Sequence, residues 1–372
     1  MGHATRSRVV IESLLERHDV RVVASGAAFR YLEGLLPVVD EVLGPTFAMR
    51  DGEIQRWATV RQNVQSISLE APEAIRHWMK RAQEWRPEVV ITDFEPLAGM
   101  YARATRTPLI AVDNINMLDR CRHDREIVDG HREAFMVARA VTRSMVPGAI
   151  EYMVTTFFYP RPSKRQTRLV PPILRPEIIA AEGERGDHLV VYSSGEESAL
   201  AALRASGVRC RVYGMRGGPT EGTVDGNLEF RPRSNEGFVE DLRTARAVVA
   251  GGGFSLMSEA VYLGKPMLAL PLHGQFEQMM NSRYLEREGF GMASTELTPE
   301  VLDRFLSGLD GFETALAGYE QEGNMVTLRE VEERAVAAAG AARRDLRRER
   351  RGARRRVRRD RSSTDDQRRD RS

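Results

Sequence analysis

Nowhere in this chain of 372 residues do eighteen apolar residues run together, and its amino end lacks the apolar core of a signal peptide. Neither a membrane-spanning helix nor export is therefore expected. Cysteine is almost absent: Cys121 and Cys210 stand far apart, which excludes a disulfide framework and a cysteine-ligated metal and points to a reducing cytoplasm. No grouping of histidine and cysteine has metal-ligand spacing, so no metal is expected. Excess charge is also scarce, at +2 overall, but residues 343–372 hold fifteen arginines against six acids, which puts +9 there and −7 on the rest. That split predicts a mildly acidic globular body and a basic, disordered tail over 341–372. The tail is expected to be solvated, with weak contact to anionic lipid its one further use and no specific nucleic-acid partner.

What the chain does have is alternation. Short strand-like runs recur at 20–24, 87–92, 108–112, 150–158, 188–192, 209–214, 228–232, 247–250 and 267–270, with helical spacing between them, the pattern of an α/β protein with parallel sheets. The proline-rich stretch 159–176 lacks periodicity and is expected to link a first domain over 1–158 to a second over 177–340. Closing helices are expected over 299–309 and, as one long run, over 311–350. The first predicted helix, 4–17, has no strand ahead of it, so the first strand of a strand–helix–strand unit is missing from the amino-terminal domain. Asp93, Glu95, Asp113 and Asn114 follow two of the predicted strands, where open α/β sheets place ligands; helix capping is the competing use of such residues.

The stretch 247–291 carries the chemistry. Ala247 to Ala250 reads as a buried strand, Gly251, Gly252 and Gly253 as a sharp turn, and Ser255 as the cap of a helix that Gly264-Lys265-Pro266 ends. A glycine turn feeding a helix exposes N–H groups at the positive end of the helix dipole, a site for phosphate. Glu259, four residues beyond Ser255 on the same face, would stand one turn below, where a carboxylate suits the two hydroxyls of a ribose. After the next strand come His273, Gln275, Glu277, Gln278 and Asn281, side chains that grip sugar hydroxyls well. Phosphate, ribose and hexose would thus be met in the order a nucleotide sugar presents them.

This segment resembles the donor-binding region of GT-B glycosyltransferases, the superfamily of plant and macrolide UDP-glycosyltransferases and the bacterial lipid-II N-acetylglucosaminyltransferase. Over nearly the whole chain the resemblance is to a bacterial and archaeal group with Gly-His-Ala-Thr-Arg (Gly2 to Arg6), Asp-Phe-Glu-Pro (Asp93 to Pro96), Asp113-Asn114 and Gln-Phe-Glu-Gln (Gln275 to Gln278). One departure is Gly251, where many relatives place a phosphate-binding histidine. The resemblance implies two Rossmann-like domains facing a cleft and a last helix that crosses back to the first domain. It implies that Ser193 and Ser194 approach the diphosphate and that the loop of Arg231, Pro232 and Arg233 borders the nucleobase. It also implies that a first strand and glycine turn precede Gly2, on the order of 10 to 20 residues in all.

The activity so implied is inverting transfer of a sugar from a UDP-sugar to a hydroxyl acceptor, with no cofactor and no Asp-x-Asp metal motif. His3, in the Gly-His context, is the candidate base, Asp93 the residue that orients it, and Arg6, one turn along, a support for an anionic group. Two other readings use the same donor site: a nucleotide-sugar epimerase or hydrolase, and a non-catalytic nucleotide-sugar binder should the first strand be truly absent.

Overall fold

The computed structural model describes residues 2–36, 39–42, 49–50, 53–54, 71–192, 197–214, 221–232 and 234–345. Ser193, Arg233 and the tail beyond 345 lie outside the described residues. The first half opens with α1 (Gly2–Leu15), β1 (Val22–Ala24), α2 (Gly26–Glu33) and β2 (Val39–Glu41), followed by a small hairpin of β3 (Met49–Arg50) and β4 (Glu53–Ile54). Then come α3 (Ala71–Trp85), β5 (Val90–Thr92), α4 (Pro96–Thr105), β6 (Leu109–Asp113), α5 (Met117–Arg120), α6 (Arg125–Val128), α7 (Arg132–Met145), β7 (Glu151–Thr155) and β8 (Thr167–Val170). β5, β6, β7 and β8 form a parallel sheet in that order, while β1 and β2 form a separate parallel pair.

β8 corrects the linker reading, because residues 167–170 of the stretch 159–176 are the last strand of the first sheet. Four residues are too few to show a period, yet Val170 is buried beside Ile110, Val112 and Met153, and that burial fixes the pairing with β7.

The second half holds α8 (Pro176–Ile179), β9 (Leu189–Tyr192), α9 (Glu197–Ser206), β10 (Cys210–Tyr213), β11 (Val224–Asp225), β12 (Leu228–Phe230), α10 (Asn235–Arg243) and β13 (Ala247–Ala250). It continues through α11 (Phe254–Tyr262), β14 (Met267–Ala269), α12 (Phe276–Arg287), β15 (Gly291–Ala293), α13 (Pro299–Ser307) and α14 (Leu309–Leu316). Its sheet runs β11-β12-β10-β9-β13-β14-β15, parallel except for β11. β13 reads Ala-Val-Val-Ala and all four residues are buried, as a strand flanked by parallel neighbours and covered on both faces must be. From β9 the chain builds outward through β10, then crosses to β13 and builds the other way. The carboxyl ends of β9 and β13 are thus a topological switch point, where such sheets open a crevice.

The helix expected over 311–350 is two. α14 ends at Leu316, and a turn with Gly323 at φ +60° separates it from α15, residues 325–345. α15 returns to the first half, as the resemblance implied: Val331, Ala335 and Ala338 pack with Val9, Val10 and Leu14 of α1. In the turn, the Asn324 side chain accepts from Leu174 N at 2.8 Å and donates to Leu174 O at 2.7 Å. Gln321 Nε2 and Thr327 Oγ1 donate to the carbonyls of Pro172 and Pro171, so the two segments that pass between the halves are stitched together. Among the described residues no helix is long and apolar enough to cross a membrane.

Candidate active site between the two halves

Asp93 follows β5, and its position is built by the next turn. Phe94 adopts φ +61°, a left-handed conformation costly for an aromatic residue and kept where the surroundings demand it. Thr92 Oγ1 accepts from Glu95 N and donates to Glu95 O, which closes the turn. The carboxylate so presented takes contacts from the first turn of α1: His3 Nδ1 at 2.8 Å, Arg6 Nε at 3.1 Å, Arg6 Nη2 at 2.5 Å and Ser7 Oγ at 3.0 Å. Residues three and four apart share a helix face, which is why His3, Arg6 and Ser7 converge. Burial works to raise the Asp93 pKa, but Arg6 and His3 outweigh it and hold the carboxyl below the ordinary range. The charge of Asp93 in turn raises the His3 pKa above its usual value, against burial and Arg6. His3 is half exposed. With Nδ1 engaged, Nε2 is the nitrogen left to exchange a proton.

Facing this cluster is the glycine turn. A Cβ placed on Gly2 would lie 2.6 Å from Ser255 Oγ, so the amino ends of α1 and α11 meet. Ser255 does not cap α11; Gly253 holds the cap position with no side-chain bond, and the first turn carries no acid. The leading N–H groups of α11 therefore lack a side-chain acceptor, the condition for an anion site. The three glycines do not serve a left-handed turn, since none has positive φ. Gly252 is small because α12 is close: a Cβ there would lie 2.4 Å from Gln278 O and 2.6 Å from Ser282 Oγ. Gly253 faces open space, with nothing within 4 Å of the same probe position.

Glu259 lies one turn down α11, only 6% exposed, and it is already engaged. Arg175 Nε and Nη2 donate to its two oxygens, each at 2.7 Å, and the same guanidinium reaches Asn235 Oδ1 and lies over the Phe238 ring. Burial raises the Glu259 pKa, and Arg175 opposes it. Glu277, on the first turn of α12, also has a pKa raised by burial, with His3 and Arg6 opposing and Asp93 adding to it; it thus belongs to the His3 cluster electrostatically. Gln278 and Gln275 bond to each other at 2.7 Å, and Gln278 Oε1 accepts from Leu272 N. Asn281 is fully buried and donates to Gly252 O at 3.3 Å. It props the glycine turn from beneath and does not face the cleft as a sugar ligand would.

Of the four residues expected on the acceptor side, Glu95 is a helix cap, accepting from Leu97 N at 3.2 Å. Asn114 is buried and donates to Thr155 O. Asp113 is 1% exposed and accepts from Asn116 N and Nδ2 at 2.7 and 2.6 Å. Burial, then the charge of Asp93, pushes its pKa up to about 6. These three therefore serve the backbone around the strand ends, and of them Asp113 is near enough for its charge to act on Arg6. Residue-by-residue reading overlooked Arg175, Asn235 and Phe238; the signal for Arg175 is an arginine among prolines just ahead of α8, which nothing in the sequence connects with Glu259.

The chain matches the sequence profile of glycosyl transferase family 1 over residues 1–310. A protein of Methanosarcina acetivorans described as an uncharacterized glycosyltransferase is 22% identical over 336 residues, covering 81% of this chain and 85% of that protein. Among solved structures, the spinosyn forosaminyltransferase SpnP aligns with a TM-score of 0.60 at 14% identity, over 90% of this chain and 96% of that one. LpCGTa, solved in complex with UDP, aligns with a TM-score of 0.58 at 15% identity, over 91% and 96%. The fold is thus the GT-B fold, with parallel sheets on both sides of the cleft that holds His3 and Ser255.

Proposed function

We propose that this chain, which belongs to glycosyl transferase family 1, moves a hexose from a UDP-sugar to a hydroxyl acceptor, without a metal and with inversion. The observation that carries the reading is the meeting of two helix amino ends, α1 with the His3–Asp93 pair and α11 with its open glycine turn. The diphosphate binds the N–H groups after Gly251 to Gly253, where the helix dipole also takes up the charge of the leaving group. The ribose hydroxyls donate to Glu259; a carboxylate held by one arginine keeps a lone pair on each oxygen for them. Gln275, Glu277 and Gln278 meet the sugar. His3 Nε2 accepts the acceptor's proton as the new bond forms, and Asp93 stabilises the resulting imidazolium and fixes its tautomer. Arg6 holds Asp93 ionised. A first domain that runs on through β8 to Val170 and a second over 177–340, supplying acceptor and donor sites in turn, go with this reading.

Calorimetric titration with UDP-, GDP- and TDP-sugars tests it. UDP-sugars are expected to bind, Glu259→Ala to weaken that binding, and His3→Ala to spare binding while removing transfer. A Glu259→Ala chain that binds UDP-sugar as tightly as the parent places the donor elsewhere.

A further inference from the structure

α12 is held by both halves of the chain. On one side Met280 and Leu285 are fully buried and Asn281 bonds to the glycine turn of the second half. The other side meets the first half. Phe276 packs against Phe135 of α7 with ring centroids 5.5 Å apart, and Tyr284 lies flat on Phe158, three residues past β7, at 4.0 Å. His123 Nε2 meets the Met117 carbonyl at 3.1 Å; a carbonyl only accepts, so Nε2 carries the ring proton and Nδ1 accepts from the Tyr284 hydroxyl, at 2.8 Å. Burial lowers the His123 pKa, which favours that neutral ring.

One cation fixes the junction. Arg283 Nη1 donates to the carbonyls of Glu126, Ile127 and Asp129 at 3.1, 3.0 and 2.9 Å. They lie at the carboxyl end of α6, where a helix leaves carbonyls unpaired and its dipole favours positive charge. Arg287 adds a contact of 2.9 Å to Asp124 and lies over the Tyr284 ring. The amino end of α12 has no side-chain cap: Gln275 holds the cap position without such a bond, after Gly274 at φ +79°.

Helical geometry carries this grip to the cleft. Glu277 stands seven residues ahead of Tyr284, close to two full turns, so the two share a face. That is the face turned to the first half, where the charges of His3 and Arg6 act on Glu277. Arg283 lies six residues from Glu277, about 9 Å along the axis at 1.5 Å per residue, and a helix gripped there moves as a rod.

We infer that Arg283 and Tyr284 are positioning residues: by clamping α12 to residues 123–129 of the first half they set the aim of Glu277, and with it Gln275 and Gln278, at the donor sugar. The role of Glu277 rests on the donor reading above, whereas the clamp itself does not. Because α11 takes the diphosphate and α12 the sugar, a loosened clamp weakens the hold on the sugar and spares that on UDP.

The test compares the parent with Arg283→Met, Arg283→Lys and Tyr284→Phe. Lysine keeps the charge and offers three N–H donors to the same carbonyls, whereas methionine keeps only the length. Hydrogen exchange is read at Met279 and Met280, near the start of α12, against Met257 of α11, and calorimetry gives the affinities for UDP and UDP-glucose. In Arg283→Met the α12 amides should exchange about tenfold faster with Met257 unchanged, and UDP-glucose should bind about tenfold more weakly with UDP unchanged. Tyr284→Phe should shift both in the same direction by less, and Arg283→Lys should return both toward the parent. Exchange that stays at the parent's rate in Arg283→Met overturns the clamp, as does a lysine variant that behaves like the methionine one. Equal loss of UDP and UDP-glucose affinity overturns the positioning role, because a general loosening of the cleft produces it. A parent that binds UDP-glucose no better than UDP counts against the donor-sugar reading alone, and exchange at Met279 and Met280 then decides the clamp.

Discussion

Arg175 meets Glu259 through two parallel N–H···O contacts of 2.7 Å, a pair buried at the foot of the helix whose amino end faces the cleft. Breaking such a pair from one side leaves a charge without water or partner, so Arg175→Ala is expected to lower stability by about 3–5 kcal/mol. Arg175→Lys keeps the charge but not the fork, and should retain the fold while raising the KM for donor with kcat little changed. Urea unfolding and initial rates against UDP-sugar concentration read the two effects separately.

The His3–Asp93 pair sets a pH dependence. A base must be neutral to accept a proton, so transfer is expected to rise with pH through the His3 pKa, which Asp93 holds above the ordinary value near 6.5. In Asp93→Asn that raising charge is gone, and the acid limb of the kcat/KM profile should move to lower pH while kcat falls. His3→Ala should lose about 10²–10⁴ in kcat. An Asp93→Asn profile whose limb stays where the parent's lies would detach Asp93 from His3.

Asp113 predicts a dependence of the opposite kind. Its carboxyl is pushed up to about 6 in the fold from about 3.9 in an unfolded chain, so between those values the folded state holds the extra proton. Stability from this group is present at low pH and falls as pH rises through the folded value. Against Asp113→Asn, which cannot titrate, the parent should lose on the order of 2 kcal/mol between pH 4 and pH 7. Denaturant midpoints at several pH values give the slope, and any constant offset from altered hydrogen bonds drops out.

The three glycines separate by their neighbours. Gly252→Ala forces a Cβ against the backbone of Gln278 and is expected to cost about 1–3 kcal/mol. Gly253→Ala, at φ −70° with open space around it, should leave stability within about 0.5 kcal/mol. If the turn holds a diphosphate, the second change lowers UDP-sugar affinity even though it spares the fold. Thermal melting and calorimetry of both variants make the comparison.

Much of this architecture is legible in the sequence because the strands are short, apolar and covered on both faces. Ala247–Ala250 stands where the run of Ala and Val places it, and helix 2–15 differs from its expected span by two residues at each end. Gly291–Ala293 and Thr167–Val170 were not legible: three or four residues with a glycine or an arginine among them carry no period, and their pairing is decided by burial. The convergence of His3, Arg6 and Asp93 was legible in part, since helical spacing aligns the first two and a strand end presents the third. Asp113, Asn114 and Asn281 show the limit. Sequence places a polar residue near a strand end or on a helix, but only packing decides whether it looks outward or holds the backbone beneath.

The stitching of Asn324 to Leu174 has a mechanical consequence. Two crossings set apart would resist any opening of the cleft, whereas crossings bonded side by side act as a single hinge. Rotation about that hinge changes little near Leu174 and most at the far rim of the cleft. The contact between Gly2 and Ser255, which lies across the cleft from that hinge line, is therefore the distance that any such rotation changes.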